Sequence, residues 1–143
     1  MENLLKLMKV SKVMYDNLGV LHRNLAGANF LSAHEQLQEY YEKVSDLVDY
    51  VNEVGISVGV REPNLAFALE VFQAIEVRDR NEVETLKIVK SYFDRLIELI
   101  DYTKEEVHVC VASELETYQE YFRKHASYII SRRLIDTAKT NMF

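Results

Sequence analysis

The stretch HRNLAGANFLSAH, residues 22–34, decides how the rest of the chain is read. It holds two of the chain's four histidines, His22 and His34, one at each end. Between them lies the step Gly27-Ala28-Asn29-Phe30, where glycine can turn the chain. Upstream, Leu4, Met8, Tyr15, Leu18 and His22 recur at three- and four-residue steps, with Ser11 in the one polar slot. That period predicts a helix over residues 2–22. Downstream, Phe30, His34, Leu37, Tyr41, Val44, Val48 and Val51 alternate steps of four and three. This seam predicts a second helix over residues 30–54, packed lengthwise in a bundle.

Two more helices follow. GISVGVREP, residues 55–63, ends the second helix, and Pro63 suits the first turn of a short helix through Phe72. Leu86, Val89, Phe93, Leu96 and Ile100 form the seam of a third long helix over residues 81–105. The β-branched run VHVCV, residues 107–111, marks a break, and a strand there would have no partner. Ser113-x-x-Glu116 is a capping-box pattern that predicts the start of a fourth helix. Its seam is Leu115, Tyr118, Phe122, Ala126, Ile129 and Arg133. The expected fold is all-α: a four-helix bundle forming a single domain over residues 1–143. The second-to-third connection, roughly twenty-five residues with its own short helix, is long enough for one crossover along the bundle.

Composition agrees and excludes several classes. One proline and four glycines in 143 residues leave room for long uninterrupted helices. The net charge of −6 argues against nucleic-acid binding through an overall basic field. Lys6, Lys9 and Lys12, and Arg132, Arg133 and Lys139 near the other end, read as solvated cations rather than a dense basic tail. No apolar run is long enough to span a membrane, the first residues lack a signal-peptide pattern, and a lone Cys110 cannot form an internal disulfide. These features predict a reducing, cytoplasmic setting.

The second predicted helix carries a candidate metal site. Relative to His34, Gln38 lies about 40° around the axis, Asp49 about 60° and Glu53 about 100°, all on one side. Imidazole and carboxylate suit iron, zinc or manganese. Yet His34 and Glu53 are about 28 Å apart along that axis. One ion can use both only across a two-fold axis, where this helix meets its copy antiparallel. Such a dimer would carry two identical sites, and His22 could join His34 if the Gly27 turn folds the first two helices together. The plainer reading of the same residues is two core histidines beside an ordinary charged helix face.

The segment HRNLAGANFLSAHEQLQEYYEKVSDLVDYVNEVG resembles the signature of the Dps family, the DNA-protection-during-starvation mini-ferritins. His22, Gly27, Asn29, Phe30, His34, Asp49, Glu53 and Gly55 fit that pattern without a gap. The resemblance implies a ferritin-like bundle, with a short helix in the long crossover, assembled as a hollow dodecamer from two-fold dimers. It implies a di-iron or mono-iron site shared between subunits, with His22 and His34 from one chain and Asp49 and Glu53 from its partner. The implied chemistry is Fe(II) oxidation, preferentially by hydrogen peroxide, followed by mineral storage. Three positions depart from the pattern. Gln38 stands where a carboxylate ligand is usual, Arg23 where tryptophan is usual, and Val54 where arginine is usual. An amide is a weaker donor to a hard cation than a carboxylate, and a cation beside the site opposes the metal's charge.

Other signals are weaker. Glu105-x-x-His108 has the spacing of a di-iron motif, but no second copy exists. His125 reads as structural or surface, and Cys110 has no nucleophile pattern around it. No glycine-rich phosphate loop is present. Tyr40 or Tyr41 is a candidate electron relay near the site. The leading expectation is an Fe(II)-oxidising mini-ferritin. The alternative is a shell of the same kind with a degenerate site and a structural or binding role. A plain helical interaction module comes third. The family name raises DNA binding, which the net charge argues against.

Overall fold

The structure, a computed structural model, describes residues 1–135. Four long helices carry it: α1 (Glu2–Arg23), α2 (Phe30–Ser57), α4 (Glu82–Lys104) and α5 (Val109–Lys124). The short helix α3 (Leu65–Ala68) sits in the crossover, and α5 continues through a π-helical turn over His125–Ile130. Among the described residues there is no strand, only one isolated bridge between Leu25 and Arg80.

The helix ends are capped in three ways. Asn81 accepts from the Glu84 amide, a local side-chain cap for α4, with Glu82 and Glu84 facing the positive end of the helix dipole. His108 caps α5 through its Nδ1, which accepts from the Cys110 amide at 3.1 Å. The start of α1 has no local side-chain cap. The Glu106 carboxylate, from the α4–α5 loop, accepts from the amides of Asn3 and Leu4 at 2.9 and 3.0 Å. A carboxylate at that end satisfies two orphan donors and opposes the dipole.

The crossover runs along α1. Glu62 pairs with Lys12 at 3.0 Å, Asn17 donates to the Gln73 carbonyl and accepts from the Ile75 amide, and the Arg80 amide donates to the Asn24 carbonyl. Successive crossover residues thus meet successive turns of α1, which makes the long connection expected from its length. Gly27, at φ 120°, turns the chain between α1 and α2. Val60 donates to the Gly55 carbonyl at 2.7 Å, closing the end of α2.

Several boundaries and seams differ from the sequence expectation. In α2 the buried stripe is Ala33, Leu37, Tyr40, Val44, Leu47, Val51 and Val54. Phe30 is 42% exposed, and His34, Tyr41 and Val48 are only partly buried. The expected seam therefore mixed the core stripe with the flank that packs beside α1. Both stripes are apolar, so the periodicity could not separate them. Helix α5 begins at Val109, capped by His108, and not at Ser113. The short helix spans only Leu65–Ala68, with Asn64 rather than Pro63 starting it: the Asn64 side chain accepts from the Phe67 amide.

Beyond Ala126 the seam shifts by a residue. Ala126 and Ile130 are buried and Ile129 is not fully so, because the π-turn inserts an extra residue into the ladder. Arg133 is not a solvated cation either. It forms a close ion pair with the 8% exposed Glu82 and donates to Gln36 at 2.8 Å. Lys139 lies outside the described residues.

Candidate metal centre

His22 ends α1 and His34 opens the second turn of α2, so the short loop around Gly27 folds one ring onto the other. Their centroids are 4.1 Å apart with planes 20° from parallel. His34 Nδ1 lies 3.3 Å from the His22 carbonyl. A carbonyl can only accept, so this contact favours the tautomer with the proton on Nδ1 and the lone pair on Nε2. His22 Nε2 is buried and has no hydrogen-bond partner among the described residues. Burial first, then His34 and Arg23, hold the His22 imidazole below its ordinary value, which favours the neutral ring that can bind a metal.

The stack continues on both sides. Phe30 lies 5.0 Å from the His34 ring, Tyr41 6.2 Å from the His22 ring, and Tyr15 4.7 Å from Tyr41. The Tyr41 hydroxyl donates to that of Tyr15 at 2.8 Å. Tyr15 was legible in the sequence as a seam residue two turns before His22, but its pairing with Tyr41 was not.

Asp49 and Glu53 are solvent-exposed on α2. Asp49 lines a cleft of about 370 Å³ between α1, α2 and the crossover, together with Lys12, Tyr15, Asp16, Val48, Asn52, Glu62 and Leu65. Within one chain the histidines and the acids are not brought together. Among the described residues no group of three or more histidine, cysteine, aspartate or glutamate side chains could hold a metal ion. The axial separation of His34 from Glu53 on a continuous α2 is the reason.

No family model and no curated protein matches the sequence. Solved structures do. A Dps protein from Bacillus brevis is similar with a TM-score of 0.83 at 23% identity, over 92% of this chain and 92% of that one. Dps from Staphylococcus aureus gives 0.83 at 19%, over 93% of each chain. The chain has the ferritin-like Dps fold. Antigen TpF1 from Treponema pallidum is similar too, with a TM-score of 0.86 at 22% identity, over 93% of this chain and 89% of that one.

Set on this Dps fold, the three departures occupy different places. Gln38 donates to the Glu42 carboxylate at 2.7 Å, one turn along α2. The Arg23 guanidinium lies back along α1: a Cβ added to Gly19 would come within 2.8 Å of it and 3.2 Å of the Tyr41 ring. Its charge is therefore beside the aromatic stack. Val54 is 8% exposed and belongs to the core, so it is turned from the exposed face that carries Asp49 and Glu53. Glu105 and His108 fall on either side of the α4–α5 break, one ending α4 and the other capping α5, so their spacing does not place them on one helix face. His125 is buried and structural, with Nδ1 2.9 Å from the Tyr40 hydroxyl. Cys110 is exposed. No helix among the described residues is long and apolar enough to cross a membrane.

Proposed function

We propose that this chain is a Dps-family mini-ferritin that binds Fe(II) at a site shared by two subunits, oxidises it with hydrogen peroxide and stores the product, lowering peroxide stress. Iron is its substrate and cargo. In this reading His22 and His34 of one chain bind the ion together with Asp49 and Glu53 of the partner subunit, and the dimers assemble further into a closed shell.

The observation that carries the reading is the exposure of two large aliphatic side chains, Leu31 and Ile56, on one face of α2. An antiparallel pairing that sets His34 level with Glu53 of the partner subunit sets Gln38 level with Asp49 of the partner subunit. The same register sets Leu31 level with Ile56 of the partner subunit. Leu31 is 69% exposed and Ile56 66% exposed, an unusual state for two large aliphatic side chains on one helix face. One arrangement therefore covers both and completes two identical sites between them. Leu65 and Phe67, each 44% exposed on the neighbouring crossover, extend the apolar border. The buried, unpartnered His22 Nε2 is a further fit, since a metal would satisfy it.

Chemically, each shared site supplies two neutral imidazoles and two carboxylates, a donor set suited to a divalent ion of borderline softness. Zinc or manganese would satisfy the same donors. The His34 Nδ1 contact with the His22 carbonyl aims the ring, as outer hydrogen bonds do for metal-binding histidines.

A second reading has its own observation. Gln38 is engaged with Glu42, and Arg23 lies beside the aromatic stack, which fits a shell whose site has lost oxidase activity. Anaerobic Fe(II) titration of the purified protein, followed by calorimetry and native mass, separates the two. About two irons per dimer would support the first reading. An oligomer that takes up no Fe(II) would sink it and leave the second. DNA binding has less support: the net charge is −6 and Arg133 is paired with Glu82. A gel shift at low and moderate salt tests it.

A further inference from the structure

The exposed side of α2 carries mostly one sign of charge. Glu35, Glu39, Glu42, Asp46, Asp49 and Glu53 are all exposed, against one lysine and no arginine in the helix. That lysine, Lys43, lies about 180° around the axis from His34. Its ammonium sits 5.1 and 4.9 Å from the ring centroids of Tyr118 and Tyr121, so it serves the α5 side. Glu39 is held on that side too, accepting from the Tyr121 hydroxyl at 2.7 Å. Glu42, Asp49 and Glu53 lie about 80°, 60° and 100° around from His34, beside the stripe that carries Leu31 and Ile56.

The register that joins the proposed ligands brings this charge together. It sets Ser45 level with Glu42 of the partner subunit, so the two copies of Glu42 are offset by only about 4.5 Å along the helix, beside the two-fold axis. Asp49 and Glu53 follow on each side. Arg23 supplies the flanking cation, its guanidinium lying over Gly19 beside the Tyr41 ring. At the ends the signs balance: Arg61 shares a shallow cleft with Ile56, and Glu35 of the partner subunit is level with Asn52, one turn away. In the middle they do not. Two copies set six carboxylates against two guanidinium groups, which leaves four negative charges. Two divalent ions carry four positive ones.

We propose that Fe(II) switches on the pairing of the chains: without metal the acidic face repels its own copy, and two bound ions neutralise it, so that cargo and assembly are linked. This rests on the shared iron site proposed above and adds its regulation. An ion held only by the paired form tightens pairing as much as pairing tightens the ion. With two sites per dimer, free Fe(II) at about a hundred times the site's dissociation constant strengthens association about ten-thousand-fold. Burial of Leu31 against Ile56 of the partner subunit then supplies an attraction that the charges no longer oppose. Gln38, neutral and donating to Glu42 at 2.7 Å, keeps the row from being more acidic still.

The test measures association rather than turnover. Sedimentation velocity and native mass follow the purified full chain over a dilution series, stripped with chelator and kept anaerobic at low ionic strength. Metal-free protein is expected to dissociate at chain concentrations where the Fe(II)-loaded protein stays paired. Mg(II) at the same concentration, a poor match for imidazole, is expected to leave the chains apart. Added NaCl is expected to strengthen metal-free pairing by screening. Glu42→Gln removes the charge beside the axis, keeps an acceptor for Gln38 and touches no proposed ligand. It is expected to tighten metal-free pairing about tenfold or more, with about two irons per dimer retained. Glu120→Gln, at an exposed acid on α5, should behave as wild type. Pairing that is equally tight with and without bound Fe(II), or unmoved by Glu42→Gln, would overturn the proposal and leave the iron site standing. Fe(II) bound by chains that stay apart, or not bound at all, would instead remove the shared site and this switch with it.

Discussion

His34 Nδ1 reaches back 3.3 Å to the carbonyl of His22, and the two rings lie 4.1 Å apart. The end of one helix thus orients the start of the next, and the two imidazoles are preset before any ion arrives. Preorganisation of this kind lowers the cost of binding. The acids that would complete the proposed site are on the same helix as His34 but far along it, so the proposed function draws them from a second subunit.

Subunit mixing is the sharpest check of that sharing. His34→Ala chains and Asp49→Ala/Glu53→Ala chains should each fail to bind Fe(II) alone. Dissociated and reassembled together, each mixed dimer should regain one of its two sites, with histidines from one chain and acids from the other. Calorimetric titration of the mixture reads this, and no recovery would refute the two-chain site.

Gln38→Asp should tighten metal binding on the order of tenfold, because a carboxylate replaces an amide in reach of the ion. The same change sets two acids one turn apart on α2, Asp at 38 and the native Glu42, in place of the present 2.7 Å hydrogen bond. Metal-free stability should therefore fall slightly, by about 0.2–0.5 kcal/mol for a like-charge pair at that spacing. Urea melts with and without metal would show the opposite signs.

Acid stability should depend on His125. Burial chiefly holds its imidazole below the ordinary 6.5, with Glu39 opposing and Lys124 adding to the shift. Above the unfolded value the ring is neutral in both states and costs nothing. As pH falls below 6.5 the unfolded chain takes up the proton first, so stability drops until the lower folded value is passed. His125→Gln keeps a polar group beside the Tyr40 hydroxyl and should flatten that decline. His22 is shifted the same way, so some slope should remain. Thermal melts between neutral and mildly acidic pH would measure both.

Glu82→Ala should cost about 2–4 kcal/mol, because it strips the acceptor from a half-buried arginine and from Asn29. The Glu82 side chain is 9% exposed and that of Arg133 24%, which places the pair between surface and core. A loss under about 0.5 kcal/mol in chemical denaturation would mean that the pair behaves as a surface one.

The sequence by itself determined the class of fold and the identity of the candidate ligands. Leucine, valine and phenylalanine at helical period specify four amphipathic helices, since that period is a property of local backbone geometry. The length of the crossover set the topology, and His22, His34, Asp49 and Glu53 were legible as ligand types on one helix side. The axial rise of a helix even dictated that no single chain could join them. What remained for the tertiary structure was which of two apolar stripes on α2 faces the core. Tyr40 turned inward to His125 and Tyr41 outward to Tyr15, a choice made by the helices packed on each side. The Glu106 cap on α1 and the Glu82–Arg133 pair join residues far apart in the chain, and the π-turn at His125–Ile130 shifts a seam that local spacing had placed. Local sequence fixes period and chemistry within a few turns. Partners a hundred residues away are set by packing the whole bundle.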